Sequence, residues 1–213
     1  MSATVPDVDP LDPRIRFGLY LRLAPRMAQE IAATHELMLR QFGQTRAGMY
    51  MPHATIGFFR SSVPWEAIAD AVTPVLHGRP AFIVQNHGPM HHGNSVVLDI
   101  HHDDDRQPNP ELLALHDDAH RAIAPLIPVE RDRFDWTGEG FHAHVTLAQT
   151  IRPPWLRDEI LAFARNLEPI GPRRFLADHV HLYVVRSEDW GSADWSDTLT
   201  WDLLASWRLE APR

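Results

Sequence analysis

The chain has 213 residues, 44% of them hydrophobic and 23% charged, which is typical of a globular protein with one substantial core. It contains no cysteine and no lysine, which excludes disulfides, thiolate metal sites, cysteine nucleophiles, a P-loop lysine and Schiff-base chemistry. The formal net charge of −8 argues against binding of long duplex nucleic acid, which requires a basic surface. We find neither a long apolar span nor a signal peptide. Because the chain lacks cysteine, we expect a cytoplasmic protein, and we expect no membrane partner.

Hydrophobic periodicity and proline positions predict a mixture of strands and helices along the chain. Strands are expected at 16–23, 51–59, 81–87, 95–101, 141–149, 173–176, 180–186 and 198–209. Helices, each beginning at or next to a proline, are expected at 25–42, 64–76, 110–124 and 153–167. The strands at 81–87 and 95–101 are expected to pair with each other around a loop at 88–94.

Each half of the chain contains a similar succession of one apolar strand, a helix and two further strands. This repetition predicts an α+β fold in which two mainly antiparallel sheets face a central cleft, with the helices outside. We expect a flexible N-terminal arm at 1–14 and a single bilobal domain at 15–213.

The most informative feature is a tetrapeptide that occurs twice. The sequence His-Ala-Thr-Ile at residues 53–56 recurs as His-Val-Thr-Leu at residues 144–147. A sequence of this composition would contain two such tetrapeptides by chance about once in a hundred cases. In a strand, the His and Thr of one motif point to the same side. Two such strands would direct two imidazoles and two hydroxyls at one point, which suits metal-free acid–base chemistry on a phosphate.

A small residue follows each motif at a position that, in a regular strand, would lie on the same face as the His and Thr. Gly57 and Ala148 are expected on the faces that carry the His–Thr pairs, where they would leave room for a sugar–phosphate.

With these motifs the chain resembles the two-histidine (2H) phosphoesterase family, which includes bacterial RNA 2′,3′-cyclic phosphodiesterases, also called 2′-5′ RNA ligases. The resemblance extends in order and spacing over about residues 15–209, including the strand at 180–187 and a closing strand at 201–209. Bacterial members often carry a basic residue soon after the second motif, and Gln149 stands near that place here.

The resemblance implies hydrolysis of a 2′,3′-cyclic phosphate, or of a 2′-5′ phosphodiester, at an RNA or nucleotide end. His53 and His144 would be the catalytic acid and base, in an order that the sequence does not decide. Thr55 and Thr146 would bind the substrate phosphate and stabilise its developing charge. We expect no metal and no other cofactor, a nucleotide or RNA end as the partner, and a monomer.

Two alternatives remain open at this stage. One is a non-catalytic module that binds nucleotide or RNA ends in the same cleft. The other is a metal-dependent hydrolase, because the His-rich segment 87–102 is followed by three aspartates. Adjacent histidines in a strand point to opposite faces, so we interpret this segment as a polar loop at a sheet edge. We interpret His116 and His120 as part of a solvated helix face, and Trp136 as a packing residue.

Overall fold

The computed structural model describes residues 8–44, 46–130, 135–167 and 169–211. Its strands are β1 (Ile15–Arg22), β2 (His53–Phe59), β3 (Phe82–Gln85), β4 (Pro89–His92), β5 (Ser95–Asp99), β6 (His144–Ala148), β7 (Arg174–Ala177), β8 (His179–Arg186) and β9 (Thr200–Arg208). Its helices are α1 (Pro25–Phe42), α2 (Trp65–Leu76), α3 (Pro110–Ile123) and α4 (Pro154–Asn166). Short 3₁₀ turns lie at Arg46–Met49, Ala124–Leu126 and Trp195–Thr198.

The strands form three antiparallel sheets, which confirms the predicted α+β class. One sheet has the order β2-β1-β8-β9, a second has the order β4-β5-β6, and β3 pairs with β7. The two larger sheets therefore exchange strands between the halves of the chain. The first motif strand, β2, lies in a sheet completed by the C-terminal β8 and β9, whereas β6 joins β4 and β5 from the first half.

The predicted pairing of the strands at 81–87 and 95–101 is wrong. β3 pairs with β7, and β5 pairs with β4 on one side and β6 on the other. The segment 88–94 was expected to be a loop, but most of it is strand β4. Gly93 and Asn94 form a two-residue turn, so that His92 of β4 pairs with Ser95 of β5. Gly93 has φ 57°, a conformation that glycine adopts without the steric cost of a side chain.

The helices cover the outer faces of the two larger sheets. α1 and α4 pack on the β4-β5-β6 sheet, while α2 and α3 pack on each other and on β9 and β2 respectively. Helix α1 begins with a proline, which lacks the N–H that would have no partner there. It ends at Gly43 in the left-handed conformation, where the glycine N–H caps the Leu39 carbonyl.

The predicted N-terminal arm lies partly outside the described residues. From residue 8 onwards the chain makes turns against the body of the protein, and Val8 is buried in the main core. Within the described part of the chain, no helix is both long enough and apolar enough to span a bilayer.

Candidate active site

The two motif strands occupy corresponding places in their sheets. β2 is one of the two outer strands of the four-stranded sheet, β6 is one of the two outer strands of the three-stranded sheet, and β2 and β6 contact each other. His53 and His144 are the first residues of these strands. The structure brings all four side chains predicted from the motifs, His53, Thr55, His144 and Thr146, to the lining of one pocket.

Both imidazoles are held by the same local hydrogen bond. His53 Nδ1 lies 2.7 Å from the Met51 carbonyl oxygen, and His144 Nδ1 lies 2.7 Å from the His142 carbonyl oxygen. A carbonyl only accepts hydrogen bonds, so each Nδ1 carries a hydrogen that it donates. In the neutral ring Nε2 therefore holds the lone pair, and it is the atom that gains or loses the mobile proton.

Burial lowers the pKa of each imidazole to about 4. Desolvation of the charged ring is the main cause in both cases, and the hydrogen bond to the carbonyl opposes it. His35 adds to the lowering at His53, and neighbouring imidazoles add to it at His144. Both rings are therefore neutral at pH 7 in the ligand-free protein. An anionic phosphate between them would favour the protonated form of either ring.

This arrangement predicts a loss of stability on acidification. Below pH 6.5 the unfolded chain binds protons at His53 that the folded protein does not bind until about pH 4. The free energy of unfolding therefore decreases as pH falls through this window. A His53→Asn variant lacks this group and is expected to lose less stability over the same range. Urea unfolding midpoints at several pH values, for both proteins, measure the difference, and parallel curves would contradict the prediction.

Each motif strand contains a β-bulge directly after its threonine. Ile56 and Leu147 are extra residues that have no partner in the register with the neighbouring strand. An extra residue reverses the alternation of faces beyond it. As a result, the residue five positions after each motif histidine lines the pocket. These residues are Phe58 in the first strand and Gln149 after the second.

The bulges also make the prediction for the two small residues wrong. A Cβ on Gly57 would lie 2.2 Å from the Trp136 ring, so this glycine faces the indole and not the pocket. Ala148 is fully buried in the core. Trp136 is buried, as expected of a packing residue, and its Nε1 donates to His116 Nε2 at 2.9 Å. His116 is itself buried, so its interpretation as a solvated residue is wrong.

A tyrosine from β1, the strand next to β2, lies beside the first imidazole. The Tyr20 and His53 ring centroids are 4.2 Å apart. Gly18 provides the space for this ring, because a Cβ there would lie 2.2 Å from Tyr20 Cζ. Burial raises the pKa of Tyr20 well above its ordinary value, so its hydroxyl stays neutral.

An aromatic wall, consisting of Tyr50, Phe58, Trp190 and Trp195, forms one side of the pocket. The Trp190 and Trp195 rings stack at 5.2 Å, Phe58 meets Trp190 edge-on at 5.6 Å, and Tyr50 meets Trp195 at 6.3 Å. The pocket volume is about 240 Å³. Sites for drug-sized ligands span about 300–1,000 Å³. The pocket therefore fits a phosphate and a sugar better than a whole nucleotide.

Two polar residues of the pocket were not predicted as part of the site. His35 Nε2 donates to the Thr146 carbonyl oxygen at 2.9 Å and so holds the edge of β6. His35 continues the buried stripe of α1 formed by Met27, Ile31 and Met38, and a polar residue in such a stripe is a signal that could have identified it. The Gln149 Nε2 atom is buried and has no hydrogen-bond partner among the described residues.

The His-rich segment contains residues with different surroundings. The His92 ring lies 4.7 Å from that of His144, next to the pocket. His87 Nε2 donates to the Asp103 carbonyl oxygen at 2.9 Å, which is a structural contact. His91 lies on the hairpin of β4 and β5, with Nε2 3.5 Å from Asp158.

Two sheets whose outer strands each bring a His-x-Thr motif to a shared pocket define a two-histidine phosphoesterase. A model of the 2′-5′ RNA ligase superfamily matches residues 58–189, which is more than half of the chain. The chain belongs to this superfamily, which confirms the resemblance noted from the sequence. The matched segment includes the second motif and begins just after the first.

Solved structures share the fold over most of the chain. The crystal structure of Escherichia coli LigT complexed with NADP⁺ has a TM-score of 0.58 and 18% identity, covering 91% of this chain and 96% of that chain. The crystal structure of TT0787 from Thermus thermophilus has a TM-score of 0.61 and 13% identity, covering 93% and 100%. A comparison with curated protein sequences gave no match.

Proposed function

We propose that this protein hydrolyses a 2′,3′-cyclic phosphate, or a 2′-5′ phosphodiester, at an RNA or nucleotide end without a metal ion. The observation that carries the proposal is the paired geometry of His53 and His144. Each ring is oriented by a carbonyl two residues before it, and each has Nε2 available for proton transfer within the same pocket. Two equivalent imidazoles suit a reaction in which one accepts a proton and the other donates one.

In the proposed step, a water oxygen forms a bond to phosphorus while one ribose oxygen leaves. One imidazole removes the proton of the water at Nε2, and the other, protonated at Nε2, gives its proton to the departing ribose oxygen. The product is a ribose phosphate monoester. At the end of the step, the imidazole that acted as the base carries a proton and the imidazole that acted as the acid has lost one. The negative charge of the bound phosphate raises the pKa of an imidazole beside it. One of the two rings therefore takes up a proton from solvent when the substrate binds.

Neutral donors would hold the non-bridging phosphate oxygens. Thr55 and Thr146 occupy corresponding positions in the two motif strands and line the pocket. The buried Gln149 Nε2, which lacks a partner among the described residues, is a third donor. Donors already in place stabilise the charge that develops on phosphorus oxygens in the transition state.

The surroundings of the pocket favour a nucleotide or RNA end. Trp190 is buried within the aromatic wall, but the rings of Tyr50, Phe58 and Trp195 are partly exposed and give a base a surface on which to stack. A neighbouring groove of about 520 Å³ shares Gln149 and Trp195 with the pocket and includes Arg46 and Arg152, which suit a further phosphate. E. coli LigT, which shares the fold, has been crystallised with NADP⁺, ATP and 3′-AMP.

The test is turnover of a 2′,3′-cyclic mononucleotide and of a 2′-5′-linked dinucleotide, both in the presence of EDTA. We expect a phosphate monoester product from the cyclic substrate, detected by chromatography or ³¹P NMR. Binding without product would overturn the proposal in favour of a non-catalytic module. Activity that EDTA abolishes and zinc restores would overturn it in favour of a metal-dependent hydrolase. A His91→Ala variant, altered on the hairpin outside the pocket, is the matched control and should retain full activity.

A further inference from the structure

Three side chains that can ligate a metal come together beside the pocket. They are Asp99 at the end of β5, His102 three residues later, and His142 just before β6. Their potential ligand atoms all lie within 4.8 Å of one another. None of the three lines the pocket that holds the two motif histidines.

The carboxylate and one imidazole are already in contact. His102 Nδ1 lies 2.9 Å from Asp99 Oδ2 and 3.1 Å from Oδ1. Asp99 is buried, and its Oδ1 also accepts the backbone N–H of His101 at 2.9 Å. A buried carboxylate that is held in place by a backbone donor is an anionic ligand whose position is already fixed.

The third imidazole is ordered but has a polar atom without a partner. The His142 ring stacks between those of His101, at 4.6 Å, and His92, at 4.9 Å. Its Nδ1 is buried and has no hydrogen-bond partner among the described residues. An unsatisfied buried polar atom costs free energy, and a bound ion would remove that cost.

We propose that Asp99, His102 and His142 form a site for a divalent transition metal, with Zn²⁺ the best fit. Two imidazole nitrogens and one carboxylate oxygen are a common set of zinc ligands, with the remaining position taken by water. On binding, the ion replaces the hydrogen between His102 Nδ1 and Asp99. That hydrogen moves to Nε2 of the same ring, and Nδ1 gives its lone pair to the metal.

The proposed metal site is connected to the pocket through the backbone of His142, and the ion itself takes no part in hydrolysis. The carbonyl oxygen of His142 accepts the hydrogen bond from His144 Nδ1 at 2.7 Å. A metal bound to the His142 ring would therefore stabilise the peptide that orients His144. The ion would also join the end of β5 to the start of β6, two segments far apart in sequence. We expect it to raise the thermal stability of the protein.

The test is zinc titration of chelator-stripped protein by calorimetry, together with the visible absorption of the Co²⁺ form. Wild-type protein should bind one ion and show a higher melting temperature with it. Asp99→Asn, His102→Gln and His142→Gln should each weaken binding by at least about 10- to 100-fold, the range that loss of an outer-shell partner alone produces. The His91→Ala control should bind as wild type does.

A second variant separates this site from the candidate active site. The protein with both His53→Ala and His144→Ala should retain zinc binding, even though its kcat is expected to be at least about 10²-fold lower than that of the wild type. Binding lost in that variant but kept in the Asp99, His102 and His142 variants would place the ion in the pocket and overturn the proposal. Wild-type protein that shows no saturable binding would overturn it as well. Neither result bears on hydrolysis in EDTA, so the two proposals can fail independently.

Discussion

Replacing His53 or His144 with alanine is expected to lower kcat for a 2′,3′-cyclic mononucleotide by about 10²- to 10⁴-fold. Each substitution removes one of the two proton transfers and leaves the threonines and the aromatic wall in place. KM should change much less than kcat, because the imidazoles act on the transition state more than on the bound substrate. Steady-state kinetics in EDTA measure the effect. The double variant should be scarcely worse than the more damaged single variant, because the two rings act as one unit.

Stability must be followed in the same variants. Each histidine is half-buried and neutral, so its removal is not expected to unfold the protein, and circular dichroism should match that of the wild type. Either alanine variant retaining wild-type kcat would refute the proposed mechanism. If only one of the two alanine variants lost activity, a single imidazole would be performing the chemistry.

Replacing either motif threonine with valine is expected to lower kcat by about 10²- to 10³-fold, the usual cost of removing one donor from an oxyanion site. Valine keeps the shape of Thr55 or Thr146 and removes only the hydroxyl. The backbone of both residues is already paired in the sheets, so the substitution leaves the strands intact. Kinetics with the same cyclic substrate measure the change.

A serine substitution is the matched control for each threonine. Serine keeps the hydroxyl and lacks the methyl group, so Thr55→Ser and Thr146→Ser should keep most of the activity. If valine and serine variants are equally impaired, the methyl group matters and the hydroxyl does not hold the phosphate. If the valine variants raise KM without lowering kcat, the threonines contribute only ground-state binding.

The similarity of the two motifs extends beyond their sequences. Both strands begin at the histidine, both orient it by a carbonyl two residues earlier, and both carry a bulge after the threonine. The residues that the bulges bring into the pocket differ, since Phe58 is apolar and Gln149 is a hydrogen-bond donor. The two sides of the pocket are therefore alike in their imidazoles and hydroxyls and different in what surrounds them. This difference is where we expect substrate orientation to be decided.

The sequence alone determined the types of most elements, the α+β class, the family resemblance and the four motif residues that line the pocket. These follow from local patterns: period-two and period-3.6 alternation, proline at helix starts, and the spacing of His and Thr within a strand. The roles assigned to those four residues stay predictions.

Only the tertiary structure decided which strands pair and what else reaches the pocket. The exchange of β8 and β9 with β4 and β5 between sheets depends on long-range packing, which leaves no local signal. A bulge is likewise set by the partner strand, so the sequence could not show that Phe58 and Gln149, and not Gly57 and Ala148, would line the site. The same reason explains why Asp99, His102 and His142 could not be grouped in advance. Their neighbourhood arises from the pairing of β5 with β6, two strands that are distant along the chain.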